Sequence, residues 1–211
     1  MDPVAAGLAV LLITLAAVYG PAVGLSPWWI SLLAALALGG LSLDAARYGG
    51  LGGHLLAEAL PGGRRRLRRI AIHEAGHCLV AEAEQLPVQQ VLVGSLACLR
   101  AGLRCNGSTV FAAPGQARLP LADLRRWSRV LQAGMVAETM IYGGPARGGA
   151  DDRTLLGQLW GLSGQDVDTA QREQRQARRE VERLLRQERP ALEARAEQLL
   201  DQAPRLSHPG P

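Results

Sequence analysis

The sequence predicts a mainly α-helical protein, in which an apolar two-helix hairpin precedes a helical soluble body with a small β element. Three observations carry this. Residues 3–43 hold no Asp, Glu, Lys or Arg over 41 consecutive positions, where the chain-wide 20% of charged residues would place about eight. Residues 64–85 and 120–142 are long runs of good helix formers, the first closed by Pro87 and the second by a glycine-rich loop. Only two short segments, 89–93 and 108–112, are rich enough in β-branched residues to read as strands.

The uncharged stretch is too long for one membrane span of about 20 residues, and Gly20, Pro21, Gly24, Ser26 and Pro27 interrupt it. It reads as two helices, roughly 3–20 and 27–46. A cleaved leader would carry basic residues before its apolar run, and none stands there. Trp28 and Trp29 suit one membrane interface and Arg47 can snorkel at the other. The turn between the helices has no Arg, whereas residues 44–69 carry Arg47, Arg64, Arg65, Arg66, Arg68 and Arg69. The positive-inside rule therefore places both termini and the soluble body on the cytoplasmic face, or its stromal equivalent in an organelle.

Residues 49–63 read as a glycine-rich flexible connector with a helical piece at 54–60, and 64–85 as the first long soluble helix. The strand segments flank a loop at 98–107. Pro120 opens the next helix, 143–149 is a loop, and 151–162 is helical again. The charged tail, 165–202, is helical and broken at Pro190.

All 23 basic residues are Arg. Without lysine there is no Walker A loop, Schiff base or lysine general base. The basic cluster at 64–69 is not interleaved with aromatics, so it reads as a topology signal touching anionic lipid and not as a nucleic-acid surface. Cys78, Cys98 and Cys105 fit a reducing compartment; the spacing of the last two is wider than a zinc ribbon's, and they read as small apolar residues.

The chemistry lies at His73-Glu74-Ala75-Gly76-His77. For this composition, chance supplies only about 0.004 copies of H-E-x-x-H. On a helix, residues i and i+4 stand one turn apart on the same side, so His73 and His77 can converge on one zinc ion. Glu74 lies beside them, placed to take a proton from water without ligating. A metal site needs a third ligand. Val80 and Ala83 stand where the metzincin pattern requires Gly and His, which excludes that class. Glu84 is roughly 10 Å further along the helix than His77, too far to share an ion. His54 and His208 lie in connector and tail segments. Glu138, Asp151 and Asp152 remain open as ligands from position alone, an Asp at a helix start being commonly a plain cap.

The run His73 to His77, the segment Ala133-Gly134-Met135-Val136-Ala137-Glu138-Thr139-Met140-Ile141-Tyr142-Gly143 and the loop Gly148-Gly149-Ala150-Asp151-Asp152 together resemble the peptidase domain of the FtsH-type membrane AAA metalloproteases. The resemblance covers roughly residues 66–202, and the N-terminal hairpin matches that family's membrane anchor in order and orientation. It implies Zn2+ held by His73, His77 and Asp152, Glu74 as the base, and Glu138 steadying a ligating imidazole. Four departures stand out: Met135 replaces an Arg, Thr139 replaces a second Glu, the loop reads Ala150-Asp151-Asp152 for Ser-Asn-Asp, and the family's ATPase module is missing, since only residues 47–69 join anchor and peptidase.

The implied organisation is a transmembrane hairpin at 1–46, a basic juxtamembrane linker at 47–65, a zinc metallopeptidase domain at 66–204 and a flexible tail at 205–211. The implied activity is hydrolysis of unfolded or membrane proteins, delivered by a separate AAA ATPase or FtsH-type protease or cleaved unaided. The alternative is a catalytically silent partner of motor-bearing relatives. An intramembrane protease is disfavoured, because residues 64–85 carry five Arg at one end and two Glu at the other.

Overall fold

A computed structural model describes residues 3–24, 26–112 and 118–204. The chain forms two compact units that divide between Ala57 and Glu58. The predicted tail at 205–211, with His208, lies outside the described residues.

The first unit opens with α1 (Pro3–Tyr19) and a 3-10 turn (Gly20–Val23), followed by α2 (Pro27–Tyr48). Proline at the first position of α2 costs no hydrogen bond there. Helix α2 has 22 residues, is apolar and buries none of them, so it is long and apolar enough to cross a membrane. Its end is marked by Gly49 in the left-handed region, φ 63°. Asp44, the first charge after the apolar run, then accepts hydrogen bonds from Gly52 N and Gly53 N at 2.9 Å each. That carboxylate caps α3 (Leu51–Ala59), so the helix starts inside the glycine-rich stretch read from sequence as a flexible connector, three residues before the expected helical piece.

The second unit is mostly helical, with one two-stranded sheet. Helix α4 (Gly63–Ala83) is followed by β1 (Val88–Val93), the short α5 (Ser95–Arg100) and β2 (Gly107–Phe111). Helices α6 (Leu121–Tyr142), α7 (Ala150–Ser163), α8 (Val167–Gln187) and α9 (Arg189–Gln202) complete it. Strands β1 and β2 are antiparallel, with Val91 opposite Thr109 and an irregularity between Val88 and Gln90. Helix α5 occupies part of the segment read as a loop. Its Ser95 N donates to Glu58 Oε1 at 3.0 Å, a cap supplied from 37 residues away and invisible to local pattern. Helix α4 stops at Ala83, before the expected Gln85, which adopts φ 56°.

The main core lies where α4, α6, α8 and α9 meet. Ile72, Val80, Val130, Val181, Leu185, Leu192 and Leu200 are fully buried there, each large aliphatic contributing about 1.5–3 kcal/mol through burial. Small residues line the α4–α6 seam: a Cβ added at Gly76 would fall 2.8 Å from both Ala133 O and Ala137 Cβ. The two helices therefore run backbone against backbone, which brings the histidines of α4 hard against α6. A second cluster, around Leu124, Trp127, Leu131, Leu156 and Trp160, holds α7 to α6. Glu84 is engaged by Arg129, Nη2 to Oε2 at 2.8 Å, and takes no part in the histidine cluster.

Candidate metal centre

His73 and His77 stand one turn apart on the buried face of α4, with ring centroids 4.8 Å apart at an interplanar angle of 67°. Helix α6 fixes the outer edge of each ring. His73 Nδ1 is 2.8 Å from Glu138 Oε1, and His77 Nδ1 is 2.8 Å from Val130 O. Both partners are acceptors only, so each Nδ1 carries a proton, and each Nε2 is left to face Asp152, through a lone pair where the ring is neutral.

Both Nε2 atoms meet the same oxygen. Asp152 Oδ2, in the first turn of α7, is 3.1 Å from His73 Nε2 and 3.4 Å from His77 Nε2. Two neutral imidazole nitrogens and a carboxylate cannot hold this approach without an electrophile between them, either a proton or a metal cation. Ligands about 2.0–2.2 Å from a tetrahedral ion lie roughly 3.3 Å from one another, a spacing that the 3.1 and 3.4 Å separations bracket. His73, His77 and Asp152 form a group able to hold a metal ion. The histidines are buried while the Asp152 side chain is 21% exposed, so the group opens to solvent on its Asp152 side.

Between the two anchors on α6, four residues from each, lies Gly134. A Cβ there would fall 2.4 Å from His73 Nε2 and 2.6 Å from His77 Nε2. The positions 130, 134 and 138 thus form one stripe, supplying an acceptor, a clearance and a second acceptor to the two imidazoles.

Glu138 gathers more than His73. Arg69 Nε donates to its Oε2, Arg147 N donates to Oε2 at 3.1 Å and Gly148 N to Oε1 at 3.1 Å. The Arg69 guanidinium also lies 5.0 Å over the Tyr142 ring. Glu138 therefore pins the loop that delivers Asp152. It faces Nδ1 of His73 while Asp152 faces Nε2, so Asp152 belongs to the group that could hold an ion and Glu138 lies behind His73. Asp151 is exposed and stands outside the group. Helix α3 holds His54, which is likewise outside it.

Glu74 is buried beside the histidines and accepts a hydrogen bond from Thr109 Oγ1 at 2.8 Å. Burial pushes its carboxyl above the ordinary range, against the pull of His77, His73 and the Thr109 hydroxyl. His77 packs edge-on to Phe111 of β2, centroids 6.2 Å apart. Cys78 is buried with its thiol pushed up to about 11 by desolvation, and all three cysteines are free. Arg69, Val130 and Thr109 carry no signal in the sequence for these places, while Gly134 and Gly148 fall in the segments that carry the resemblance without any role being read for them. Arg69 in particular reads there as one of a juxtamembrane basic cluster.

With a proton as the electrophile, burial opposes the charge on His73, but the hydrogen bonds it donates to Asp152 and Glu138 outweigh it and lift the imidazole to about 10. Desolvation likewise opposes the Glu138 charge, yet His73, Arg69 and Arg147 hold it down to about 2. Metal-free protein is thus stabilised fully by His73 below its unfolded value of 6.5, a contribution lost as pH rises toward 10. Glu138 contributes fully above 4.5, and its share is lost as pH falls toward 2. Through the His73 contribution, the thermal unfolding midpoint of chelator-treated protein is expected to decline through pH 7–9. A flat alkaline limb would contradict the cluster. Glu138→Ala is expected to weaken metal affinity by about 10–100-fold, measured by competition with a chromophoric chelator; unchanged affinity would deny it a supporting place.

Comparison with protein-family models, curated proteins and solved structures finds no match for this chain.

Proposed function

We propose that this chain is a membrane-anchored zinc metalloendopeptidase of the FtsH peptidase type, with only residues 47–69 joining the anchor to the peptidase. One observation carries the reading: two imidazoles with their Nδ1 edges occupied aim both Nε2 atoms at one Asp152 oxygen, with a buried carboxylate, Glu74, alongside. Two nitrogens and one carboxylate oxygen suit Zn2+ and leave a fourth position open. When bound there, zinc supplies Lewis acidity that polarises a peptide carbonyl and acidifies water.

The residues of the chain do the rest. His73, His77 and Asp152 hold the ion. Glu138 and Val130 fix the imidazole tautomers and orientations. Glu74 accepts a proton from water as it attacks the peptide carbonyl, and returns that proton to the leaving amine. In this reading one strand of the sheet, β1 or β2, accepts an extended substrate segment alongside it, and the Thr109 contact to Glu74 favours β2. In this reading α1 and α2 are a two-span anchor that keeps the catalytic unit on the Arg-rich, cytoplasmic side, and the substrates are unfolded or membrane proteins.

The test is full-length protein in detergent, assayed for zinc and for casein cleavage. One zinc per chain, cleavage abolished by chelation and restored by zinc, and loss of both properties in Asp152→Ala are expected. Full-length protein that takes up zinc but cleaves nothing, and co-purifies with a larger AAA protease, would favour the silent-partner alternative.

A further inference from the structure

The two oxygens of Glu74 have different surroundings. Oε2 accepts the Thr109 hydroxyl at 2.8 Å. Among the described residues nothing donates to Oε1, and no fully buried side-chain polar atom lacks a partner. Oε1 is therefore the oxygen that keeps contact with water. It faces Gly107, where an added Cβ would fall 2.6 Å from Oε1 and 2.5 Å from Ile70 Cγ2. Gly107 and Thr109 are two residues apart on β2 and so point to the same face of the strand. That face presents Glu74 with a donor for one oxygen and backbone clearance for the other.

We propose that Thr109 is a positioning residue for the hydrolytic step, holding Glu74 by Oε2 so that Oε1, against Gly107, is the atom that exchanges the proton. This rests on the peptidase reading. The balance is simple: a water proton passes to Oε1 as the oxygen–carbon bond forms, and the same proton passes to the amine nitrogen as the carbon–nitrogen bond breaks. A carboxylate free to rotate about its last torsion would present either oxygen, and productive geometry would be a fraction of the population. Hydrogen-bonding one oxygen removes that freedom before substrate arrives.

Thr109→Val removes the hydroxyl while keeping the β-branched shape, and Thr109→Ser restores it. In full-length, zinc-loaded protein, Thr109→Val is expected to lower kcat for a quenched fluorescent peptide by about 10–100-fold, with KM and zinc content unchanged. Thr109→Ser should recover kcat to within about threefold of wild type. A structural role alone would not distinguish Ser from Val in this way, nor leave KM and zinc untouched. The contact itself is read without activity, from unfolding midpoints in a double-mutant cycle. Thr109→Val should lower the midpoint in the wild-type background and leave it unshifted in the Glu74→Met background. Equal shifts in both backgrounds would overturn the hydrogen bond. A coupled cycle with no difference in kcat between Val and Ser would overturn the positioning role alone. Wild-type protein that binds zinc and cleaves nothing would overturn the peptidase reading, and with it any working role for Oε1.

Discussion

Glu74→Gln is expected to leave zinc uptake at the wild-type level while lowering casein cleavage by roughly 10²–10⁴-fold, the usual worth of a positioned general base. The amide is the same size as the carboxylate and can still accept the Thr109 hydroxyl through its carbonyl oxygen. It cannot take a proton from water. Glu74 is 4% exposed, so bulk buffer has poor access to substitute for it. The ligand atoms of His73, His77 and Asp152 are untouched by the change, which is why metal content separates loss of the base from loss of the site. Cleavage equal to wild type would remove Glu74 from the chemistry.

Gly134→Ala is expected to lower zinc affinity by about 10²-fold or more, on the scale at which a displacement of about 1 Å disables a site. In an ordinary exposed helix the same change would stabilise by about 1 kcal/mol. Here the new methyl would lie 2.4 Å from His73 Nε2 and 2.6 Å from His77 Nε2. The imidazoles cannot yield, because their far edges are hydrogen-bonded to Glu138 and Val130 on the same helix. Either α6 moves away from α4, against a seam already tight at Gly76, or the rings rotate off their shared target. Chelator competition reads the affinity, and unfolding of metal-free protein reads the seam; wild-type affinity would mean that the two Nε2 atoms do not share an ion across Gly134.

What could be read from the sequence divides along a physical line. The spacing of His73 and His77 contains its own geometry, since four residues are one helical turn, and α4 delivers both rings to one side. Helix α6, with its bounding Pro120 and Gly143, was equally legible. Asp152 was legible only through resemblance, because position alone left it level with Glu138 and Asp151. The illegible parts all depend on contacts between distant segments. Glu58 caps α5 across 37 residues, Thr109 reaches Glu74 across 35, and Arg69 reaches Glu138 across 69. No local pattern announces them. The glycine-rich connector misled for a related reason, since its composition suggests freedom, while Asp44 spends its carboxylate on ordering it.

The stripe at positions 130, 134 and 138 has a consequence for the life of the polypeptide before it is finished. A single helix supplies both imidazole anchors and the clearance between them, and that helix is held in place by the assembled core and by its ion pairs to neighbouring segments. A slip of α6 by one residue would swing all three positions by about 100° at once. Metal capture would, on the proposed function, favour the finished fold: a nascent or misassembled chain has His73 and His77 but no α6 stripe to aim them, so metal-binding energy would go mainly to the native packing. On the proposed function, such a chain stays harmless to its neighbours until its own interior is complete.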